Sequence, residues 1–197
     1  RANIADIDRA AEALKRAKKS RIHVFIATSA LHMEHKLGKK PDEVLKMIEK
    51  SITHAAACSE DVEFSCEDAS RSDLDFMVQA CQVAVRCGAR TLNIPDTVGY
   101  AQPEEFGARI AYVRERIDPE VVISVHCHND LGLAVANTLS AFRAGARQAE
   151  VTICGIGERA GNASLEEFIM ALTVRQPYYQ LNHSIKTEQI YPTARRL

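Results

Sequence analysis

The chain has 197 residues, of which 46% are hydrophobic and 26% are charged, and its formal net charge is −1. This length predicts one domain with a sizeable core, and this composition excludes an intrinsically disordered chain. The near-neutral charge gives no reason to expect a nucleic acid or an anionic membrane as a partner, and no apolar run reaches the roughly 18 residues of a membrane span.

Helical and strand patterns alternate along the chain. An amphipathic helix is predicted at 4–18, and a buried strand follows at 21–28. A polar loop with His32 and His35 leads to a helix that begins at Pro41 and ends near Cys58. Four more strands are predicted, each followed by a helix, at 61–66, 90–95, 121–128 and 148–154.

Cap signals mark the ends of these helices. Ser72 is predicted to cap a helix that runs to Arg86, and Gly88 is predicted to end it in a left-handed conformation. The plainest role of Asn129 and Asp130 is to cap the helix at 131–144. Ser164 and Glu167 fit a capping box for a helix that reaches about residue 175.

The cysteines lie singly in apolar patterns and form no C-x-x-C pair. They are therefore expected to be small core residues of a protein in a reducing compartment, which predicts the cytoplasm. The six positions are Cys58, Cys66, Cys81, Cys87, Cys127 and Cys154.

Alternation of strands and helices predicts a parallel sheet of the α/β class. The segment C-G-A-R at Cys87 is echoed by A-G-A-R at Ala144, 57 residues later, which is about two βα units. An even repeat favours a (β/α)8 TIM barrel over a doubly wound sheet. About five βα units with a preceding helix cannot close eight strands. Residues 1–197 are therefore expected to be a partial catalytic barrel domain from a longer chain.

The stretch at 121–130 reads as a buried strand that ends in His126 and His128. Because side chains alternate along a strand, both imidazoles point to one side, and Cys127 points away. Two neutral imidazoles form half of a divalent-metal site, although two ordinary hydrogen-bonded histidines remain an alternative. Asn162 is a plausible third ligand, because Ser164 can do the capping nearby.

Polar residues fall on the same face of the other strands. In a barrel this face is the interior, and its polar groups near the carboxyl ends of strands lie at the catalytic mouth. Glu67 could act there as a general acid or base, and Thr97 could bind a substrate carboxylate. The face includes His23, Glu63, Ser65, Glu67, Asn93, Pro95, Thr97, Ser124, His126, His128, Glu150 and Thr152.

A glycine-rich loop at 155–162 does not have the spacing of a dinucleotide-binding fingerprint, so NAD binding is rejected. His54 lies within a helix and reads as an ordinary residue, whereas His32 and His35 keep a functional role as a minor alternative. His183 receives no assignment.

Five ordered motifs resemble the 2-isopropylmalate synthases, within the metal-dependent acyltransferases and lyases built on a TIM barrel. The resemblance covers nearly the whole chain. The motifs are H-V-F-I-A-T-S at His23, V-E-F-S-C-E-D-A at Val62, N-I-P-D-T-V-G-Y at Asn93, S-V-H-C-H-N-D-L-G-L-A at Ser124 and G-I-G-E-R-A-G-N-A-S-L-E-E at Gly155.

This resemblance implies a Claisen-type condensation of acetyl-CoA with 2-oxoisovalerate to 2-isopropylmalate, a step in leucine biosynthesis. It implies that His126, His128 and Asn162 bind a divalent ion, Mn or Mg, and that Glu67 is the catalytic carboxylate. Thr97 would bind the carboxylate of the 2-oxo acid. Four residues would line the pocket for its side chain, namely His23, Ser65, Asn93 and Pro95. A homodimer is expected for the full-length protein.

The chain departs from the family pattern because it has no D-R-E segment, which supplies a metal-binding aspartate and an arginine on the first barrel strand. The last strand and the regulatory domain are also expected to lie outside these residues. The isolated chain is therefore predicted to be inactive and to bind metal weakly, because one metal-binding carboxylate is missing. Homocitrate synthase and citramalate synthase remain alternatives, and so does a non-catalytic barrel segment with a role only in assembly.

Overall fold

The computed structural model describes residues 1–197 and contains one parallel sheet covered by helices. Its strands are β1 (Ile22–Ala27), β2 (Val62–Glu67), β3 (Thr91–Asp96), β4 (Val122–Cys127) and β5 (Gln148–Glu150). They are hydrogen-bonded in sequence order, with no reversal of direction or position. A doubly wound sheet would reverse its order at a switch point, so this is the arrangement of a (β/α)8 barrel with five strands present. The predicted fold class is confirmed.

Nine α-helices surround the sheet or follow it. They are α1 (Ile4–Leu14), α2 (Ala30–His32), α3 (Pro41–Cys58), α4 (Leu74–Arg86), α5 (Pro103–Arg114), α6 (Ala134–Arg143), α7 (Leu165–Val174), α8 (Gln176–Tyr179) and α9 (Ile190–Ala194). None of them combines the length and the apolar character needed to cross a membrane.

The two faces of the sheet differ as the alternation of residue types predicts. On β2, Val62, Phe64 and Cys66 are fully buried in the main hydrophobic core. Glu63 and Ser65 lie between them on the opposite face, and register pairs Ser65 with Asn93 on β3. The apolar face is therefore covered by helices, whereas the polar face is the barrel interior.

The repeat in the sequence marks two equivalent turns. Gly88 and Gly145 follow α4 and α6, with φ values of +112° and +113°. Gly88 has the positive φ that was predicted for a helix stop, and a Cβ there would lie 2.8 Å from Ala56 Cβ. After each turn an arginine N–H donates to the preceding strand, Arg90 to Val62 and Arg147 to Ile123. The 57-residue echo therefore reflects one βα turn used twice.

Two predicted caps are wrong. Asp73, not Ser72, caps α4, since its Oδ1 accepts from the N–H of Phe76 at 2.9 Å. The Ser72 hydroxyl is buried and donates to the carbonyl of Asp68 instead. Of the two residues predicted to cap α6, Asn129 does so, since its Oδ1 accepts from the N–H of Ala134, whereas Asp130 binds an arginine instead. Ser164 does cap α7, as predicted.

Three further features differ from expectation. The predicted loop after β1 is helical, because α2 continues into a π-helix (Met33–Leu37) that ends at left-handed Gly38. β5 ends at Glu150, and a 3₁₀ turn (Ile153–Gly155) replaces the rest of the predicted strand. The cysteines are all free, but Cys58 and Cys154 are exposed, so the expectation of six core cysteines is wrong for these two.

Candidate active site

A cavity of about 420 Å³ lies on the inner face of the sheet, towards the carboxyl ends of the strands. Eight of the nine residues predicted from the sequence line it, together with Phe25, Glu150 and Glu158. The eight are His23, Ser65, Glu67, Asn93, Pro95, Thr97, His126 and His128. Asn162, the ninth, contacts His126 directly. The predicted residues therefore all come together.

The His126 ring is held from both sides. Its Nδ1 donates to Glu150 Oε2 at 2.6 Å, which makes Nε2 the acceptor nitrogen of the ring. Asn162 Nδ2 lies 2.9 Å from that Nε2. The ring centroids of His126 and His128 are 5.0 Å apart, and a short backbone bridge joins His128 to Asn162.

Loop glycines bring Asn162 to this position. A Cβ on Gly157 would collide with Asn162 Oδ1, and a Cβ on Gly161 would collide with the carbonyl oxygen of Gly155. Gly161 has a φ of +91°, which disfavours other residues. The glycine-rich loop thus permits close approach to a side-chain amide rather than to a dinucleotide.

This donor set fits a divalent ion. His126 presents Nε2 while a carboxylate holds its Nδ1, which is the usual support of a metal-binding histidine. The Nδ1 atom of His128 is buried and has no hydrogen-bond partner. Burial first, and then the nearby His126 and Arg159, lower the pKa of His128 below its usual value, which favours the neutral imidazole that a metal requires.

Glu150 is a site residue whose role the sequence did not reveal. Burial alone would raise the pKa of its carboxyl, but hydrogen bonding to His126 and the charges of His23 and His126 lower it overall. Its Oε2 also accepts from Asn93 Nδ2 at 3.3 Å. The alternation of residue types places Glu150 on the polar face of β5. No motif indicates that Glu150, rather than Thr152 on the same face, has a role in the site.

Glu67 lies at the end of β2 and is paired with Lys36, which the π-helix carries. His32 Nδ1 lies 3.9 Å from Glu67 Oε1 and 3.7 Å from Asp68 Oδ2. His32 therefore belongs to the surroundings of the site, whereas His35 is exposed beside Glu34. Lys36 escaped the sequence analysis because its segment read as a loop.

A hydrogen-bonded network of His23, Ser65 and Asn93 lines one part of the cavity. His23 Nε2 lies 2.5 Å from Ser65 Oγ, and Asn93 Nδ2 donates to the same oxygen at 2.9 Å. Asn93 Oδ1 is buried without a partner. Phe25 and Pro95 add apolar surface to the lining.

An arginine joins three loops at the rim of the cavity. Arg159 Nε and Nη2 donate to the two carboxylate oxygens of Asp130 at 2.7 and 2.9 Å, and Nη2 also donates to the carbonyl of Thr97. Arg159 is itself left-handed, with a φ of +56°. No sequence pattern indicates this contact, because the three residues belong to different βα loops.

Other histidines lie elsewhere. His54 pairs with Asp8 on the outer surface at 2.5 Å, which agrees with its interpretation as an ordinary residue. His183 Nε2 lies 2.9 Å from Thr173 Oγ1 near the end of α7. A larger depression of about 770 Å³ beside α1 and α3 contains none of the predicted site residues.

A comparison with protein families agrees with the fold. It is consistent with the strand order and with a cavity at the carboxyl ends of the strands. The model of the HMGL-like family matches residues 1–197. The chain belongs to the HMGL-like family. Among solved members of this fold, the hydroxymethylglutaryl-CoA lyase from Pseudomonas aeruginosa superposes with a TM-score of 0.76 at 16% identity, over 94% of this chain and 64% of that one.

Curated relatives of this HMGL-like chain are much closer in sequence. It is 59% identical to the 2-isopropylmalate synthase of Nitratidesulfovibrio vulgaris, over 100% of this chain and 39% of the relative. It is 56% identical to the 2-isopropylmalate synthase of Pyrococcus abyssi, over 96% of this chain and 40% of the relative. The chain therefore spans about two fifths of the length of these relatives, and the resemblance inferred from its motifs is confirmed as a similarity.

Proposed function

We propose that residues 1–197 are part of the catalytic barrel of a 2-isopropylmalate synthase. The reaction joins the methyl carbon of acetyl-CoA to the ketone carbon of 2-oxoisovalerate. Water then cleaves the thioester and gives 2-isopropylmalate and CoA. The supporting observation is the convergence of His126, His128 and Asn162 with Glu67 and Thr97 around one cavity.

In this proposal His126, His128 and Asn162 hold a divalent ion, Mn or Mg. The ion would supply Lewis-acid polarisation of the ketone of the bound 2-oxo acid. Glu150 keeps His126 Nδ1 protonated, so that Nε2 stays available as a ligand. The low pKa of His128 keeps its ring neutral for the same purpose.

The other residues bind substrates and handle protons. Thr97 binds the carboxylate of the 2-oxo acid through its hydroxyl group. Glu67 takes a proton from the acetyl methyl group, and Lys36 is its ion-pair partner. The side chain of the 2-oxo acid fits a pocket formed by His23, Ser65, Asn93 and Pro95.

An assay of the full-length protein tests the reaction. It should release free CoA from acetyl-CoA most efficiently with 2-oxoisovalerate, by comparison with 2-oxoglutarate and pyruvate. A preference for 2-oxoglutarate would indicate a homocitrate synthase, and a preference for pyruvate would indicate a citramalate synthase. Unchanged activity of a His126→Ala variant would contradict the metal role and favour a non-catalytic role for this segment.

We further propose that these 197 residues alone are inactive, because the chain has no D-R-E segment and so offers three protein ligands rather than four. CoA release by the isolated chain would contradict this. The proposal includes a homodimer and a cytoplasmic location for the full-length protein. Sedimentation and fractionation of cells would test these two points.

A further inference from the structure

Asp68 combines burial, charge and an unfavourable backbone conformation. It follows Glu67 at the end of β2, its side chain is fully buried, and its φ and ψ are 64° and 35°. This left-handed region disfavours residues with a Cβ, although Asp and Asn tolerate it better than most. Such residues persist where their surroundings hold them, and they cluster at functional sites.

The polar groups of Asp68 contact the loops that follow three strands. Its carboxylate accepts from Ser29 Oγ at 2.5 Å, after β1, and from Arg71 Nε at 2.8 Å, after β2. Its N–H donates to Thr97 Oγ1 at 2.9 Å, after β3. Its carbonyl accepts from Ser72 Oγ at 3.0 Å. The left-handed conformation is therefore held at both the side chain and the backbone.

The contact with Thr97 determines the direction of its hydroxyl proton. Because Thr97 Oγ1 accepts a hydrogen bond from the Asp68 N–H, its own O–H must point elsewhere. Thr97 lines the cavity, and its O–H is free to donate there. An acceptor-only group such as a carboxylate is the complementary ligand.

The same network reaches Glu67 through His32. Arg71 Nη2 lies 3.4 Å from His32 Nε2, which makes that nitrogen the acceptor and places the ring proton on Nδ1. Nδ1 is buried without a hydrogen-bond partner, between the carboxylates of Glu67 and Asp68. Asp68 thus lies between the two side chains to which we assign substrate binding and proton transfer.

We propose that Asp68 is a positioning residue that aims the Thr97 hydroxyl at the carboxylate of the 2-oxo acid. The inference rests on the proposed function of the cavity. A purely structural role would have a different signature, because loss of Asp68 would then lower stability without changing the affinity of each folded molecule for the 2-oxo acid.

A double-mutant cycle on the full-length protein separates these roles. Calorimetry with Mn²⁺ present would measure the Kd of 2-oxoisovalerate for the wild type, Asp68→Asn, Thr97→Val and the double variant. Each single change should weaken binding about tenfold, which is the size of one hydrogen bond, and the double variant should bind like Thr97→Val alone. Multiplication of the two effects, to about a hundredfold, would overturn the inference.

Ser29→Ala is the second variant, in case Asp68→Asn does not fold, because it removes one donor to the Asp68 carboxylate. It should weaken binding in the same direction and should have no further effect in the Thr97→Val background. Additional weakening there would count against the inference.

Gln180→Gly is the matched control, since Gln180 is another left-handed residue, with a φ of 53°, beyond α8. It should leave the Kd unchanged, and an equal loss of affinity would overturn the inference.

If the wild type binds none of 2-oxoisovalerate, pyruvate and 2-oxoglutarate, the proposed function is wrong and the inference falls with it. If the wild type binds and Thr97→Val has no effect, only the inference is overturned.

Discussion

The two ends of the barrel interior differ in whether their buried polar atoms have hydrogen-bond partners. At the amino ends of the strands, Arg21 Nη1 donates to Glu63 and Gln148, and Gln148 Nε2 donates to Glu63 and Ser124. None of these side chains has a buried atom without a partner. At the carboxyl ends and in the loops that follow them, several buried atoms have none, among them His32 Nδ1, Asp96 Oδ1, His128 Nδ1 and Thr152 Oγ1.

Backbone strain follows the same division. Four residues other than glycine have positive φ, and three of them, Asp68, Cys154 and Arg159, lie in loops at the carboxyl ends. Unpaired buried groups and strained residues cost stability, and proteins keep them mainly where they serve a ligand. One end of the barrel interior therefore stabilises the fold, whereas the other end has the unpaired groups and the strained backbone that the proposed binding role requires.

His128→Ala should have the largest effect on the binding end. Loss of one ligand is expected to lower kcat about a thousandfold, since the Lewis acid supplies several kcal/mol of stabilisation. Steady-state CoA release and Mn²⁺ titration of the full-length protein would measure it. His54→Ala, on the outer surface, is the control and should retain both properties. Equal losses in the two variants would contradict the assignment.

Glu67 and Glu63 permit the sharpest test of the comparison, because they lie on one face of the same strand. Glu67→Gln should lower kcat at least about a hundredfold, since a general base is removed, with little change in stability. Glu63→Gln should instead lower the free energy of unfolding by about 1–3 kcal/mol, because a buried charged acceptor is lost.

Kinetics and urea unfolding of both variants would measure this contrast. If Glu63→Gln impairs catalysis as much as Glu67→Gln does, the division between the two ends is wrong.

Glu150→Gln should have a moderate effect. Glu150 holds His126 from outside the proposed ligand set, and loss of such a supporting carboxylate weakens metal binding about 10-fold to 100-fold. Competition for Mn²⁺ with a chelating dye would measure the affinity. Unchanged affinity would show that His126 is oriented by Asn162 alone.

The smallest expected effect concerns the rim of the cavity. Hydrogen bonding to Arg159 lowers the pKa of Asp130 below its ordinary value of 3.8. A carboxyl with a lowered pKa stabilises the fold above its ordinary pKa, and this contribution is lost as the pH falls through the lowered value. Arg159→Gln should therefore reduce the melting temperature slightly near neutral pH, and the difference should disappear in strong acid.

Melting curves of the wild type and Arg159→Gln across this pH range would measure the effect. A constant difference at every pH would mean that the Asp130 carboxylate is not involved.

Periodicity revealed most of the fold. The alternation of residue types placed the five strands and the faces of Ser65, Asn93 and His126, because each side chain's direction follows from its neighbours in one strand. The errors lie at helix starts and loops. Ser72 and Asp73 are adjacent, and both residue types are good helix caps. Asp73 is the cap because the Ser72 hydroxyl is buried and hydrogen-bonded to Thr28.

The proposed ligands and pocket residues could be predicted because strands carry them or motifs mark them. The supporting residues could not. Lys36 reaches Glu67 only through a π-helix, and Arg159 reaches Asp130 only because two loops meet in space. Such contacts depend on side-chain conformations and loop shapes that no local pattern encodes.

The sequential order of the strands has a consequence for synthesis of the protein. Each of the four pairings among these five strands joins neighbours in the sequence, so none of the four waits for a distant segment and loop closure stays short. The stabilising contacts of β1 and β2 can therefore form early. The site comes last, because Asn162 reaches His126 only after the fifth strand has been made.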